Sequence, residues 1–264
     1  VQPRKGPLQH TIMLLDSTKR FSLERKGIQG NREYFVIASA EGNQAHTAEL
    51  SIYEPGTFTG GSRLLGGHRV KIVGPAREFL IGYFLADGHI LGWHWGDTWF
   101  VLRSHTPGDA RKRLLSIAGQ IGGTGGSPYR VPFSVGYRPA GFSPSHALHL
   151  YSEGGAETLG MTKGAVGEEA QLSFTVKRLL GKDNAHMRQS LGKPDSTAHG
   201  REVWFTKMPS AAEIVVRTGD CFAHIIVRDV ALIPRAEQEK LVNGFILGNC
   251  GDTTNWAYPF AGLS

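Results

Sequence analysis

Trp95-Gly96-Asp97-Thr98-Trp99-Phe100-Val101-Leu102 can be laid without gaps on Thr218-Gly219-Asp220-Cys221-Phe222-Ala223-His224-Ile225. In both stretches a Gly-Asp pair, which tolerates the positive φ of a tight hairpin, runs into an apolar strand. In both, a proline then opens a helical pattern, Pro107 in the first and Pro234 in the second. The order of elements matters more here than the identities, because single-sequence repeats are easily imagined. Read this way, the chain is an α+β protein of two tandem similar lobes. Each lobe is a mainly antiparallel sheet with a C-terminal helix.

The neighbouring segments extend the pattern. Residues 11–15, 20–24, 33–38, 48–53, 69–73, 79–84, 90–95 and 98–103 read as strands, with Asp16-Ser17-Thr18 as a hairpin turn between the first two. In Arg69 to Val73 the alternation puts Val70 and Ile72 on one face and Arg69 and Lys71 on the other. Ala110, Leu114, Ile117, Ala118 and Ile121 then recur at helical spacing, with Asp109 placed to complement the helix dipole. Gly122-Gly123-Thr124-Gly125-Gly126 stops that helix and reads as a linker. The second half repeats the plan with strands near 131–137, 146–151, 171–177, 202–206, 213–217 and 222–227. A short helix is expected at 187–191 and a last helix from Pro234. The expected boundaries are 1–121 for the first lobe, 122–129 for the linker, 130–252 for the second lobe and 253–264 for an aromatic tail. Trp256, Tyr258 and Phe260 alternate along that tail.

Charge is unevenly placed. Residues 1–121 hold 15 Lys/Arg against 10 Asp/Glu, net +5, and residues 122–264 hold 14 against 13, net +1. A basic balance points to an anionic partner, here a cell-envelope surface or another envelope protein. Nucleic acid is disfavoured, because basic residues and aromatics are not interleaved in a known frame. No run of 18 apolar residues is present, so this chain contains no helical span. It opens on Val1-Gln2-Pro3, which fits a segment lying downstream of a signal or anchor.

Two cysteines, Cys221 and Cys250, lie 250 − 221 = 29 residues apart. Such a sparse, even count fits one disulfide in an oxidising compartment, with two buried thiols as the alternative. A last helix returning across the sheet would bring the pair together. Val131-Pro132-Phe133-Ser134-Val135-Gly136-Tyr137-Arg138-Pro139-Ala140-Gly141-Phe142, together with the two strand-and-helix units, resembles the extracytoplasmic domains of uncharacterised actinobacterial membrane-anchored proteins. The resemblance implies a short cytoplasmic segment and one membrane span ahead of a region like this one. It brings no catalytic residues.

The richest local cluster is Asp87 to Asp97, which holds Trp93, His94 and Trp95, with Trp99 just beyond. Strand parity puts Trp93 and Trp95 on one face and His94 on the other. Two indoles packed on the core are one reading, and a stacking site for a sugar or a peptide is the other. His89 and His94 point to opposite faces, as do His146 and His149, so neither pair grips one metal. No metal, phosphate-loop, nucleophile-elbow or cofactor motif is present, and no catalytic residue is assigned. The expected function is therefore a non-catalytic extracytoplasmic binding or accessory module. A carrier or sensor for a lipid or small apolar ligand, and a hydrolase with an unrecognised site, remain as alternatives.

Overall fold

The structure, a computed structural model, describes residues 11–14, 20–39, 48–74, 79–106, 108–124, 130–151, 155–164 and 170–257. Backbone contacts divide the chain into an N-terminal unit drawn from residues 8–127 and a C-terminal unit drawn from 128–264.

The N-terminal unit runs β1 (Thr11–Leu14), β2 (Phe21–Gln29), β3 (Arg32–Ser39), β4 (Ala48–Tyr53), α1 (Gly61–Leu65), β5 (His68–Val73), β6 (Phe79–Phe84), β7 (Ile90–Trp95), β8 (Thr98–Ser104), α2 (Ala110–Gln120) and β9 (Ile121–Thr124). Its antiparallel sheet has the order β2-β3-β4-β8-β7-β6-β5. Helix α2 backs one face, here called the near face. Asp109 caps it, its carboxylate accepting from the Lys112 N–H at 3.2 Å. The apolar stripe of α2 delivers Leu114, Ile117 and Ala118 onto Leu50, Ile52, Leu91, Trp93 and Leu102. Fully burying a leucine or isoleucine of this kind contributes about 1.5–3 kcal/mol.

The C-terminal unit runs β10 (Phe133–Val135), β11 (Phe142–Leu150), β12 (Ala156–Lys163), β13 (Leu172–Arg178), α3 (Gly181–Leu191), β14 (Ser196–Ala198), β15 (Arg201–Lys207), β16 (Ala212–Thr218), β17 (Cys221–Val227), α4 (Arg235–Gly244) and β18 (Phe245–Leu247). A 3-10 turn follows at Thr253–Asn255. Its antiparallel sheet has the order β11-β12-β13-β17-β16-β15-β14. Helix α4 and β18 back the near face, where Phe245 stacks on Phe174 at 5.6 Å between ring centroids. The buried Arg201 guanidinium donates to the carbonyls of Val242 and Phe245, which satisfies the end of α4.

The two sheets thus share one connectivity. Three strands are followed by a helix, four strands and a second helix, and the fourth of these strands pairs with the third strand. In each unit a short strand after the second helix pairs with the strand that opens the unit, β9 with β1 and β18 with β10. The first sheet strand of each also shifts register at a corresponding place, between Leu23 and Arg25 in β2 and between Pro144 and His146 in β11.

Four expectations need correcting. The chain is dominated by antiparallel strand, with few helices, so α+β overstates its helical part. Gly122, Gly123 and Thr124, read as linker, form β9 in register with β1, because the backbone ladder needs no side chains. The ladder partner of β1 is accordingly β9, and the turn expected at Asp16 to Thr18 falls outside the described residues. The helix expected at 187–191 begins six residues earlier, at Gly181.

Candidate functional site

The β7–β8 hairpin turns at Gly96, with φ at +56°, and Asp97. A side chain at Gly96 would be strained in that conformation. The register sets Trp93 opposite Phe100, His94 opposite Trp99 and Trp95 opposite Thr98. Trp93 is 4% exposed on the near face and stacks on Phe100 at 5.5 Å with planes 9° apart. Trp95 shares its parity, yet it is 77% exposed. Only one of the two indoles is a core residue, because the hairpin tip outruns the core beneath it.

The far face carries the other two residues named from the sequence. Trp99 and His94 lie with ring centroids 5.0 Å apart. Phe58 sits 5.4 Å beyond Trp99, and Tyr53 4.6 Å beyond Phe58. Four rings therefore form a continuous ladder, tilted at 42–44° to one another. Its rings are half-exposed, and His94 is exposed. The His94 Nδ1 lies 3.1 Å from the Gly96 carbonyl, so its N–H donates there and Nε2 is left as an acceptor. Helix α1 is only five residues long. Its Leu64 fills the space over Gly92, where a Cβ would approach the Leu64 Cδ1 to 2.4 Å. Its first residue, Gly61, lies against the Trp99 indole, and a Cβ there would come within 3.1 Å of the ring. The helix stops before it covers the ladder.

Basic and polar groups share this face. Arg69 and Lys71 lie exposed on β5 with the parity of His94 and Trp99. Beyond Tyr53, Arg32 donates to Glu49 at 2.7 Å, to Ser51 at 2.7 Å and to Gln29 at 2.9 Å. Burial raises the pKa of the Tyr34 hydroxyl above its ordinary value. Tyr53 and Phe58 carried no signal in the sequence. Phe58 is isolated in a Gly- and Thr-rich loop, and only the folded sheet brings it to Trp99.

The C-terminal unit treats its far face differently. Trp204, Val215 and Phe222 form a buried cluster there, and Leu179, Met187 and Leu191 pack onto it from α3 and the segment leading into it. Beside the cluster, His224 Nδ1 lies 2.6 Å from Glu213, and its Nε2 is buried without a hydrogen-bond partner. His146 lies over Gly160 on the same face, and burial lowers its pKa. On the near face His149 Nδ1 lies 2.5 Å from Glu157. Neither His–carboxylate pair has a nucleophile hydrogen-bonded to its second nitrogen among the described residues. Cys221 and Cys250 are joined in a disulfide, with Cα atoms 5.6 Å apart.

No protein-family model matches the chain, and no characterised protein sequence matches it. Among solved structures, the crystal structure of MucB in complex with MucA(peri) is similar at 11% identity, over 89% of this chain and 97% of that one, with a TM-score of 0.29. The complex structure of Pseudomonas aeruginosa MucA/MucB is similar at 10% identity, over 90% and 97%, with the same TM-score of 0.29. At that score the likeness carries no argument about this chain.

Proposed function

We propose that the chain is a non-catalytic binding module working outside the cytoplasm, and that it contacts an anionic envelope polysaccharide through the far face of its N-terminal unit. The observation that carries this reading is the open ladder Tyr53–Phe58–Trp99–His94. Half-exposed rings in one row offer apolar planes to the C–H faces of successive sugar rings. Arg69 and Lys71 on the same face, within the basic first half of the chain, favour a polymer of negative charge. The Cys221–Cys250 disulfide supports an oxidising compartment. Among the described residues no helix is long and apolar enough to cross a membrane. The shared connectivity and the matching register shifts support descent of both units from one tandem duplication.

The alternatives gain less support. The cavities at Phe205, Val230 and Arg235 and at His149 and Trp256 are about 410 and 310 Å³, and each has charged residues in its wall, which suits a lipid poorly. The experiment is a titration of tryptophan fluorescence with dextran sulfate and with neutral dextran. Dextran sulfate should bind, the affinity should fall as salt rises, and Trp99→Ala should weaken it at least about tenfold, a loss near 1.4 kcal/mol. Equal affinity of Trp99→Ala and the native protein would overturn the reading.

A further inference from the structure

The near face of the C-terminal unit holds a cavity of about 310 Å³ beside the disulfide. Its walls include Pro132, Val176, Cys250 and Trp256 on the apolar side and His149, Glu157, Lys177 and Arg178 on the polar side. The volume lies at the small end of ligand pockets, which span about 300–1,000 Å³.

The outer wall is a strap held at both ends. Cys250 ties one end to Cys221 on β17. At the other end Ala257 and Val131 exchange backbone hydrogen bonds of 2.8 and 2.9 Å. Between these anchors the Trp256 indole N–H donates to the Asn249 carbonyl at 3.1 Å, and Asp252 accepts from the Thr254 N–H at 3.0 Å. The ring of Trp256 is thereby fixed in position at the cavity, with its only donor already used inside the strap.

The polar wall is equally determined. His149 gives its Nδ1–H to the buried Glu157 carboxylate, and in the neutral ring Nε2 is an acceptor. Arg178 gives its Nε–H to Asp220 at 2.6 Å, and its two terminal nitrogens make no hydrogen bond among the described residues. Its guanidinium lies against Gly251 of the strap, where a Cβ would come within 3.0 Å of the Arg178 Cζ. A ligand entering here meets one acceptor, a fork of donors and an apolar plane. Two carboxylates, Glu157 and Asp220, stand behind the groups it would touch. A carboxylate ligand only accepts, so it would oppose both carboxylates and, beside a neutral His149, the Nε2 lone pair. A hydroxyl both donates and accepts, and suits the pair of His149 and Arg178.

We infer that this cavity is a binding site for one neutral, hydroxyl-rich ring, a pyranoside, stacked on Trp256 and hydrogen-bonded to His149 and Arg178. The site is separate from the N-terminal ladder and does not depend on it. The test is a titration of the whole chain with methyl glucoside, methyl galactoside and methyl mannoside, followed on the Trp256 indole N–H resonance. That resonance is assigned by its loss in Trp256→Phe. At least one pyranoside should shift it saturably. Arg178→Met, at a partly exposed side chain, should weaken the effect at least about tenfold, or 1.4 kcal/mol, with the rest of the spectrum unchanged. Trp99→Ala should leave it unaltered. The inference is overturned if none of the three shifts the resonance at about 50 mM, where a ligand with a Kd of about 1 mM would saturate. It is overturned equally if sodium benzoate or inorganic phosphate shifts it at lower concentration than any pyranoside.

Discussion

In the C-terminal unit the helix inserted after the third sheet strand is eleven residues long, and in the N-terminal unit it is five. The strands beneath are equivalent. Trp99 of β8 and Phe222 of β17 each stand three positions past the glycine of the preceding turn, and both point to the far face. Under α3, Phe222 becomes fully buried core beside Trp204 and Val215. Under α1, Leu64 covers Gly92 and Gly61 touches the Trp99 indole, but Trp99 stays half-open in a row of rings. An aromatic residue at one position of one scaffold thus becomes structural or available according to the length of the helix laid over it.

The most severe way to break this comparison is to truncate both aromatics. Phe222→Ala should cost about 3–5 kcal/mol, the range for a buried phenylalanine. Trp99→Ala should cost less than half as much while weakening polysaccharide binding at least about tenfold. Urea unfolding followed by circular dichroism measures both, and equal losses would show that Trp99 is core after all.

The disulfide distinguishes the units next. It ties β17 to the strap after β18 and has no counterpart in the N-terminal unit, since the chain's two cysteines are both used. Replacing both with serine should destabilise the C-terminal unit by about 3–4 kcal/mol, from the loop-closure entropy of 29 residues. Hydrogen exchange should show the loss in β10 to β18, and amides of the N-terminal sheet should keep their protection.

Acid should separate the two far faces further. His146 and Arg25 each follow the register shift of a first sheet strand, but only His146 changes charge near neutrality. Its folded pKa lies below the ordinary 6.5, so the unfolded chain binds its proton first. Its contribution is constant well above pH 6.5 and is lost as pH falls from there toward the folded value. The slope from one such proton is at most about 1.4 kcal/mol per pH unit. His146→Phe, which keeps a flat ring over Gly160, should flatten the fall in melting temperature between neutral and acid pH. An unchanged slope would remove His146 from the account.

The smallest effect lies at the helix starts. Asp109 caps α2, whereas α3 begins at an exposed Leu180 with no side-chain cap. Leu180→Asp should stabilise the C-terminal unit by about 0.5–1 kcal/mol, and Asp109→Ala should cost the N-terminal unit about 1 kcal/mol. Thermal melts of the two variants give the comparison, and a destabilising Leu180→Asp would mean that this leucine packs more than its exposure indicates.

Much of the fold was legible in the chain, for physical reasons that can be named. Arg69 to Val73 alternates, the Gly-Asp pairs mark hairpins, and α2 and α4 announce themselves by an apolar stripe after a proline. Strand β12 did not, because Ala156 to Thr162 is buried on both faces, so the alternation that betrays a strand is absent. Helix α3 hid its first six residues for the opposite reason. It has no fully buried residue, so little apolar periodicity marks it. Of the site, Trp99 and His94 were visible as part of a dense aromatic cluster. Tyr53 and Phe58 were not, since contact between them and Trp99 depends on β4 pairing with β8 across a long insertion. His149, Glu157 and Arg178 come from three strands and Trp256 from a terminal strap, and no spacing in the sequence connects them.

The outermost strands of the two sheets bear on how the molecule stays apart from its own copies. A strand at a sheet margin presents a row of hydrogen-bonding groups on which another chain can template itself. Strand β5 lies at such a margin and carries exposed Arg69 and Lys71, whose charges would have to lose water before a second strand could dock. Strand β14 lies at the other unit's margin and is only three residues long, too short to seed a stable ladder. One unit discourages fibre growth by electrostatics and the other by brevity. Neutralising Arg69 and Lys71 would therefore carry a colloidal hazard that no change at Ser196 to Ala198 shares.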